Sequence, residues 1–214
     1  MEISDQLVDL AQKRAEGFAL EGFVKGRGPA DAKVMLVGEA PGETEVGNLI
    51  PFSGRAGKEL MKFMAIAGLT REYVFITSAV RSRPYRYGEK IDRKTGEKIK
   101  RRYNRPPTQK EILAHAPVLD AEIQMIQPKI ILAMGNVGLK RLIGKAYQVS
   151  EQHGKIYRGP VQHLAHLEDR SYSWTEEVYT VLATFHPASI FYNRQLLPLI
   201  EADWQLLRQQ LEAR

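Results

Sequence analysis

Four short apolar runs constrain this chain more than any other feature. VMLV (residues 34–37), YVFIT (73–77), KIILAM (129–134) and VYTVLATF (178–185) lie far apart in the sequence. Runs of that length read as strands buried on both faces. Between them the apolar residues return at helical spacing. Residues 3–15 place Ile3, Leu7, Leu10 and Ala11 on one face, and residues 55–67 do the same with Leu60, Phe63, Met64 and Ala67 before Gly68. PPTQKEI opens a third helix, with Thr108 and Glu111 spaced as a capping box, running to about residue 126. A short helix follows the third strand, and another closes the chain over residues 196–211. Strands alternating with helices form a parallel sheet covered on both sides, because parallel neighbours need a crossover. The expected fold is a three-layer α/β/α sandwich around a central, mostly parallel four-stranded sheet. Residues 146–172 show neither period and read as irregular.

Ligands in such folds sit beyond the carboxyl ends of the strands. Three loops leave those ends, over residues 38–54, 78–107 and 186–194. The second carries most of the chain's basic character. Residues 81–105 hold eleven Lys and Arg against three Asp and Glu, a local +8 in a chain of net charge +6. Tyr85, Tyr87 and Tyr103 are interleaved with these cations, a composition suited to phosphate backbones. Residues 90–98, KIDRKTGEK, read as a surface hairpin. The 214 residues suit a single domain, 1–214, with a basic hairpin inserted at about residues 86–103.

The chain has no cysteine, which excludes disulfides, thiol catalysis and cysteine-held metal clusters. His163 and His166 lack the carboxylates a metal site would need, so no metal and no cofactor is expected. The apolar runs are too short to cross a membrane, and the early acidic residues do not suit a leader, so the expectation is a cytoplasmic protein.

Five stretches carry a family pattern: GEAPGETE…PFSGRAGKEL (38–60), FITSAVRSRP (75–84), NRPPTQKEI (104–112), PKIILAMGNVGLKRLIG (128–144) and TFHPASI (184–190). In order and spacing they resemble the uracil-DNA glycosylase superfamily, closest to the family 4 enzymes. The resemblance implies a monofunctional DNA glycosylase of base excision repair, acting on uracil or a related deaminated base flipped out of DNA. Phe52 then corresponds to the aromatic that stacks on the base, and Gly38, Ala40 and Gly42 to backbone that approaches it. Glu39 and Glu45 match the acidic positions of the first motif; Glu45 is expected to handle the water, with Glu39 and Asn104 orienting it. His186 matches the histidine that donates a hydrogen bond to the departing base. Ile190 and Phe191, beside Ser189 and Arg194, suit a wedge into the duplex, although packing of Ile190 and Phe191 against the last helix remains open. Arg83, Lys98, Lys100, Arg101 and Arg102 are expected on the DNA backbone, and a monomer is expected.

The pattern breaks in two places. Family 4 members normally carry an iron–sulfur cluster, and here Ser82 and His115 stand at two of its ligand positions, so packing must replace it. Ser78 stands where the family has an asparagine that reads the uracil edge through a donor and an acceptor. A weakly active or non-catalytic nucleic-acid-binding relative is therefore the alternative reading. A small-molecule α/β enzyme ranks last, since neither a P-loop nor GxGxxG is present.

Overall fold

The computed structural model describes residues 3–92 and 95–213. Arg93 and Lys94, in the turn of the expected hairpin, lie outside the described residues. The strands are β1 (Leu20–Glu21), β2 (Val34–Gly38), β3 (Val74–Ser78), β4 (Arg83–Ile91), β5 (Lys98–Asn104), β6 (Ile130–Met134), β7 (Ile156–Gly159), β8 (Gln162–His163), β9 (Ser173–Trp174) and β10 (Tyr179–Thr184). The helices are α1 (Asp5–Arg14), α2 (Glu43–Asn48), α3 (Arg55–Ile66), α4 (Gln109–Ile126), α5 (Asn136–Ile143), α6 (Val149–Gln152) and α7 (Leu197–Glu212).

The central sheet has the order β3-β2-β6-β10-β7. Its first four strands are the four apolar runs, and they pair in parallel, Leu36 lying opposite Ile76 and Leu132. Successive side chains point to opposite faces. Met35, Val37, Ile131 and Ala133 meet Leu119 and Ile123 of α4 and Leu139 and Leu142 of α5. Val34, Leu36, Leu132 and Met134 meet Leu60 and Phe63 of α3 and Ile200 and Trp204 of α7. Two apolar layers flank one sheet, as the alternation predicts. Among the described residues no helix is long and apolar enough to cross a membrane.

Three features depart from the sequence reading. The sheet has five strands, because Ile156–Gly159, within the stretch read as irregular, pairs antiparallel with β10 at the edge. The loop over residues 38–54 contains α2, a helix with no buried residue and hence no apolar period to reveal it. Pro187–Phe191, read as loop, is a 3-10 turn. The basic hairpin lies close to its expected bounds of about 86–103. Its β4 and β5 ladder runs from Tyr85·Asn104 out to Ile91·Lys98.

The N-terminal helix is joined to α4 by packing. Ile3, Ala11 and Val118 form a small core between α1 and α4, with Val8 and Phe23 against it. The Arg14 side chain donates to the carbonyls of Leu113, Leu167 and Asp169. His115 is fully buried with its ring 5.9 Å from that of Phe23, and its Nδ1 accepts from the Arg81 backbone N–H at 3.4 Å. Nearby, the buried Arg81 guanidinium pairs with the equally buried Glu122 of α4, which also accepts from Thr77 at 2.6 Å. These contacts fasten the end of β3 to α4.

Candidate active site

The carboxyl ends of β2, β3 and β10 open into a cavity of about 670 Å³, within the range of small-molecule and nucleobase sites. All three rim loops line it. Glu39, Gly42, Glu45 and Phe52 come from the first, Ser78 and Asn104 from the second, His186 and Phe191 from the third.

Phe52 is placed by an unusual local backbone. It adopts a left-handed conformation with φ of 51°, which costs a non-glycine residue on the order of 1 kcal/mol. Arg71 holds the turn by donating to the carbonyls of Pro51, at 2.9 Å, and Phe52. The phenyl ring then lies across Gly38, where a Cβ would come within 2.6 Å of its Cζ. Gly38 thus makes room for the ring; it does not line the cavity. Gly57 has a matching role, since a Cβ there would sit 1.8 Å from the Phe52 carbonyl oxygen.

His186 faces this plate, the two ring centroids 5.7 Å apart at 32°. Its Nδ1 accepts from the Ala188 backbone N–H at 3.2 Å, so the proton resides on Nε2. Burial depresses its pKa to about 4, leaving a neutral imidazole with one N–H to give. Two residues earlier, Thr184 donates to Asp203 of α7 at 2.8 Å and anchors the strand end.

The two carboxylates differ. Glu45 accepts from the backbone N–H of Gly42 at 3.1 Å and of Gly54 at 3.0 Å. Those are the N-cap residues of α2 and α3, so one side chain caps both helices. Glu39 has no side-chain hydrogen bond among the described residues, and burial raises its pKa. Its backbone is held to the segment that follows β3 by the Val80 N–H, 3.0 Å from the Glu39 carbonyl.

Ala40 also lines the cavity, and so does Ser78, whose hydroxyl donates to the Val80 carbonyl at 2.7 Å. Asn104 does not bond to either carboxylate as expected; its Oδ1 accepts from Arg83 at 2.6 Å. Arg83 itself is corrected. It is 4% exposed and pairs with Glu21, so it braces the hairpin from inside and is withdrawn from any DNA surface. Ser189 is corrected as well, its Oγ being buried away from solvent. Ile190 packs against the α3–α7 core, the alternative left open by its sequence. Phe191 stays on the cavity wall, with the Arg55 guanidinium 3.9 Å above its ring. Arg194 is exposed beside it, in a neighbouring groove. Lys98, Lys100, Arg101 and Arg102 lie exposed on β5. The structure adds Arg71, Arg55 and Tyr192, the last 91% exposed on the cavity rim. None of the three carries a local sequence signal.

A doubly wound α/β protein with an aromatic plate, a neutral imidazole and two carboxylates around a base-sized cavity is equipped to hold and detach a planar ring. The sequence matches the Uracil DNA glycosylase superfamily over residues 25–208, and the chain belongs to that superfamily. It is 35% identical over 189 residues to a type-4 uracil-DNA glycosylase of Sulfurisphaera tokodaii, covering 87% of this chain and 73% of that one. It is 34% identical over 194 residues to the type-4 uracil-DNA glycosylase of Saccharolobus solfataricus, covering 89% and 77%. A third, from Archaeoglobus fulgidus, is 29% identical over 187 residues, covering 86% and 79%.

Proposed function

We propose that this chain is a monofunctional DNA glycosylase that hydrolyses the N-glycosidic bond of uracil in DNA, a cytoplasmic hydrolase of base excision repair. The observation that carries this reading is the meeting of Phe52, His186, Glu39 and Glu45, remote in sequence, around one cavity. The nucleotide leaves the stack, and its base lies on Phe52; such stacking contributes on the order of 1–3 kcal/mol. As the bond from C1′ to the base breaks, the electron pair departs with the base and negative charge gathers on its O2. The Nε2–H of His186 donates to that oxygen. A neutral donor suits the task, since it stabilises the anion without transferring its proton.

Water supplies the oxygen that bonds to C1′, and a carboxylate takes its proton. Glu39 fits this role better than Glu45, exchanging the roles expected from sequence. Its carboxylate is uncommitted and made more basic by burial, whereas both oxygens of Glu45 hold helix termini. No lysine among the described residues lines the cavity, so no amine stands ready for a Schiff base and the reaction stops at the abasic sugar. Tyr192 and Phe191 take the wedge position, and Arg194 and Arg55 suit the flanking phosphates. The cavity is complete within one chain, which supports a monomer as the working unit.

Ser78 supports a wider substrate range than uracil alone. Its proton is engaged by Val80, so toward a base it offers an acceptor and lacks the donor that an asparagine amide would add. Related deaminated bases are therefore assayed alongside uracil. In single-turnover cleavage of a uracil oligonucleotide, His186→Ala is expected to slow base release by about 10²–10³-fold. Glu39→Gln is expected to slow it by about 10²–10⁴-fold with little change in Tm. No base release by wild-type protein at high concentration would refute the reading.

A further inference from the structure

The basic hairpin has two unlike faces, and one of them continues the cavity wall. Directly opposed residues of antiparallel strands share a face. Leaving the cavity at Asn104, the rungs on that face are Tyr85·Asn104, Tyr87·Arg102, Glu89·Lys100 and Ile91·Lys98. The rings and cations on it are stacked together. Tyr85 and Tyr87 meet edge to face at 5.5 Å, the Arg102 guanidinium lies 4.6 Å over the Tyr85 ring, and the Lys100 ammonium lies 4.1 Å over Tyr87. Tyr87 nevertheless keeps 52% of its surface exposed and Ile91 63%.

That arrangement argues against a simple phosphate clamp. Cations built to grip a duplex backbone would extend freely into solvent. Here Arg102 also pairs with Glu21 of the neighbouring strand β1 at 3.3 Å and Lys98 with Glu89 at 2.9 Å, so these two charges are held against the sheet. What the face presents outward is flat aromatic and guanidinium surface with a positive bias. Such a surface accepts unpaired bases, which stack on rings and guanidinium planes while their phosphates feel the surrounding charge. Bases inside an intact duplex cannot reach it.

We propose that the hairpin face formed by Tyr85, Tyr87, Lys100 and Arg102 binds unpaired bases flanking the extracted nucleotide, making single-stranded DNA the preferred substrate. This rests on reading the cavity as the base site. The full chain is titrated by fluorescence anisotropy against a labelled oligonucleotide bearing 2′-fluorodeoxyuridine, whose glycosidic bond resists cleavage, as single strand and as duplex. In each, the bases on one flank or the other are replaced by abasic spacers.

Spacers on one flank are expected to weaken single-strand binding by about 5- to 150-fold, with no matching loss in the duplex. Tyr87→Ala is expected to abolish that sensitivity and Tyr87→Phe to keep it. The exposure of Tyr87 makes misfolding an unsuitable explanation, and a melting curve checks it. Spacers on either flank that change affinity less than about twofold would overturn the proposal, as would an equal loss by Tyr87→Ala on single strand and duplex. Release of uracil by wild-type protein is measured separately. Release without spacer sensitivity overturns the hairpin assignment alone; spacer sensitivity without release overturns the functional reading and leaves the hairpin assignment in place.

Discussion

His186 illustrates how much of this site depends on single side chains. A backbone N–H occupies one ring nitrogen, and burial keeps the ring uncharged down to about pH 4. With Glu39 as the proposed base, its raised pKa sets the acid side of the reaction. A carboxylate whose pKa is raised takes up its proton at higher pH than a free glutamate. Base release is therefore expected to fall with decreasing pH along a limb displaced upward from the ordinary carboxylate value, with no contribution from His186 near 6.5. A limb near 6.5 that disappears in His186→Ala would contradict this assignment. Gly38 offers a steric test. Gly38→Ala drives a methyl into the Phe52 ring and is expected to slow base release by about 5- to 150-fold, the value of one stacking contact, while Tm changes little. Phe52 and His186 were legible as a pair because their motifs are local in sequence. The contrast between Glu39 and Glu45 was not, because it depends on which carboxylate the backbone of α2 and α3 engages.

At the level of elements, the four buried strands could be read from sequence because burial on both faces demands continuous apolar runs. Thr108 and Glu111 announced α4 for an equally local reason, and both halves of that capping box are formed. The edge strand Ile156–Gly159 escaped because it is short and largely half-exposed, so it needs no apolar run. The helix α2 escaped because its N-cap is a glycine and it buries nothing. The basic segment was legible as a hairpin from its turn, yet its charge pattern suggested free cations where the strands pair them with rings and carboxylates. Neutralising Lys98 and Lys100 together is expected to lower the slope of log K against log salt by less than about 1.4, the value for two fully engaged single-strand phosphates. A full reduction by that amount, measured from 50 to 200 mM salt, would show both ammonium groups on phosphates.

Across the whole molecule, two buried imidazoles link stability to acidity. Burial, opposed by nothing but Glu111 and reinforced by Arg81, lowers His115 to about 3. An unfolded histidine titrates near 6.5, so below that value the unfolded chain binds a proton the native chain refuses. Stability is expected to fall as pH drops from about 6.5, by up to about 1.4 kcal/mol per pH unit from His115, with His186 adding to it until about pH 4. Urea denaturation at pH 7 and pH 5 measures it, and an unchanged slope in His115→Leu would remove His115 from the account. The same region has a broader consequence. The N-terminal helix is fastened to α4 by Ile3, Ala11 and Val118 and by the reach of Arg14, in a chain without a thiol. Such a joint offers peroxide or nitric oxide no thiolate to attack. The oxidative stress that itself damages bases would therefore leave this joint intact.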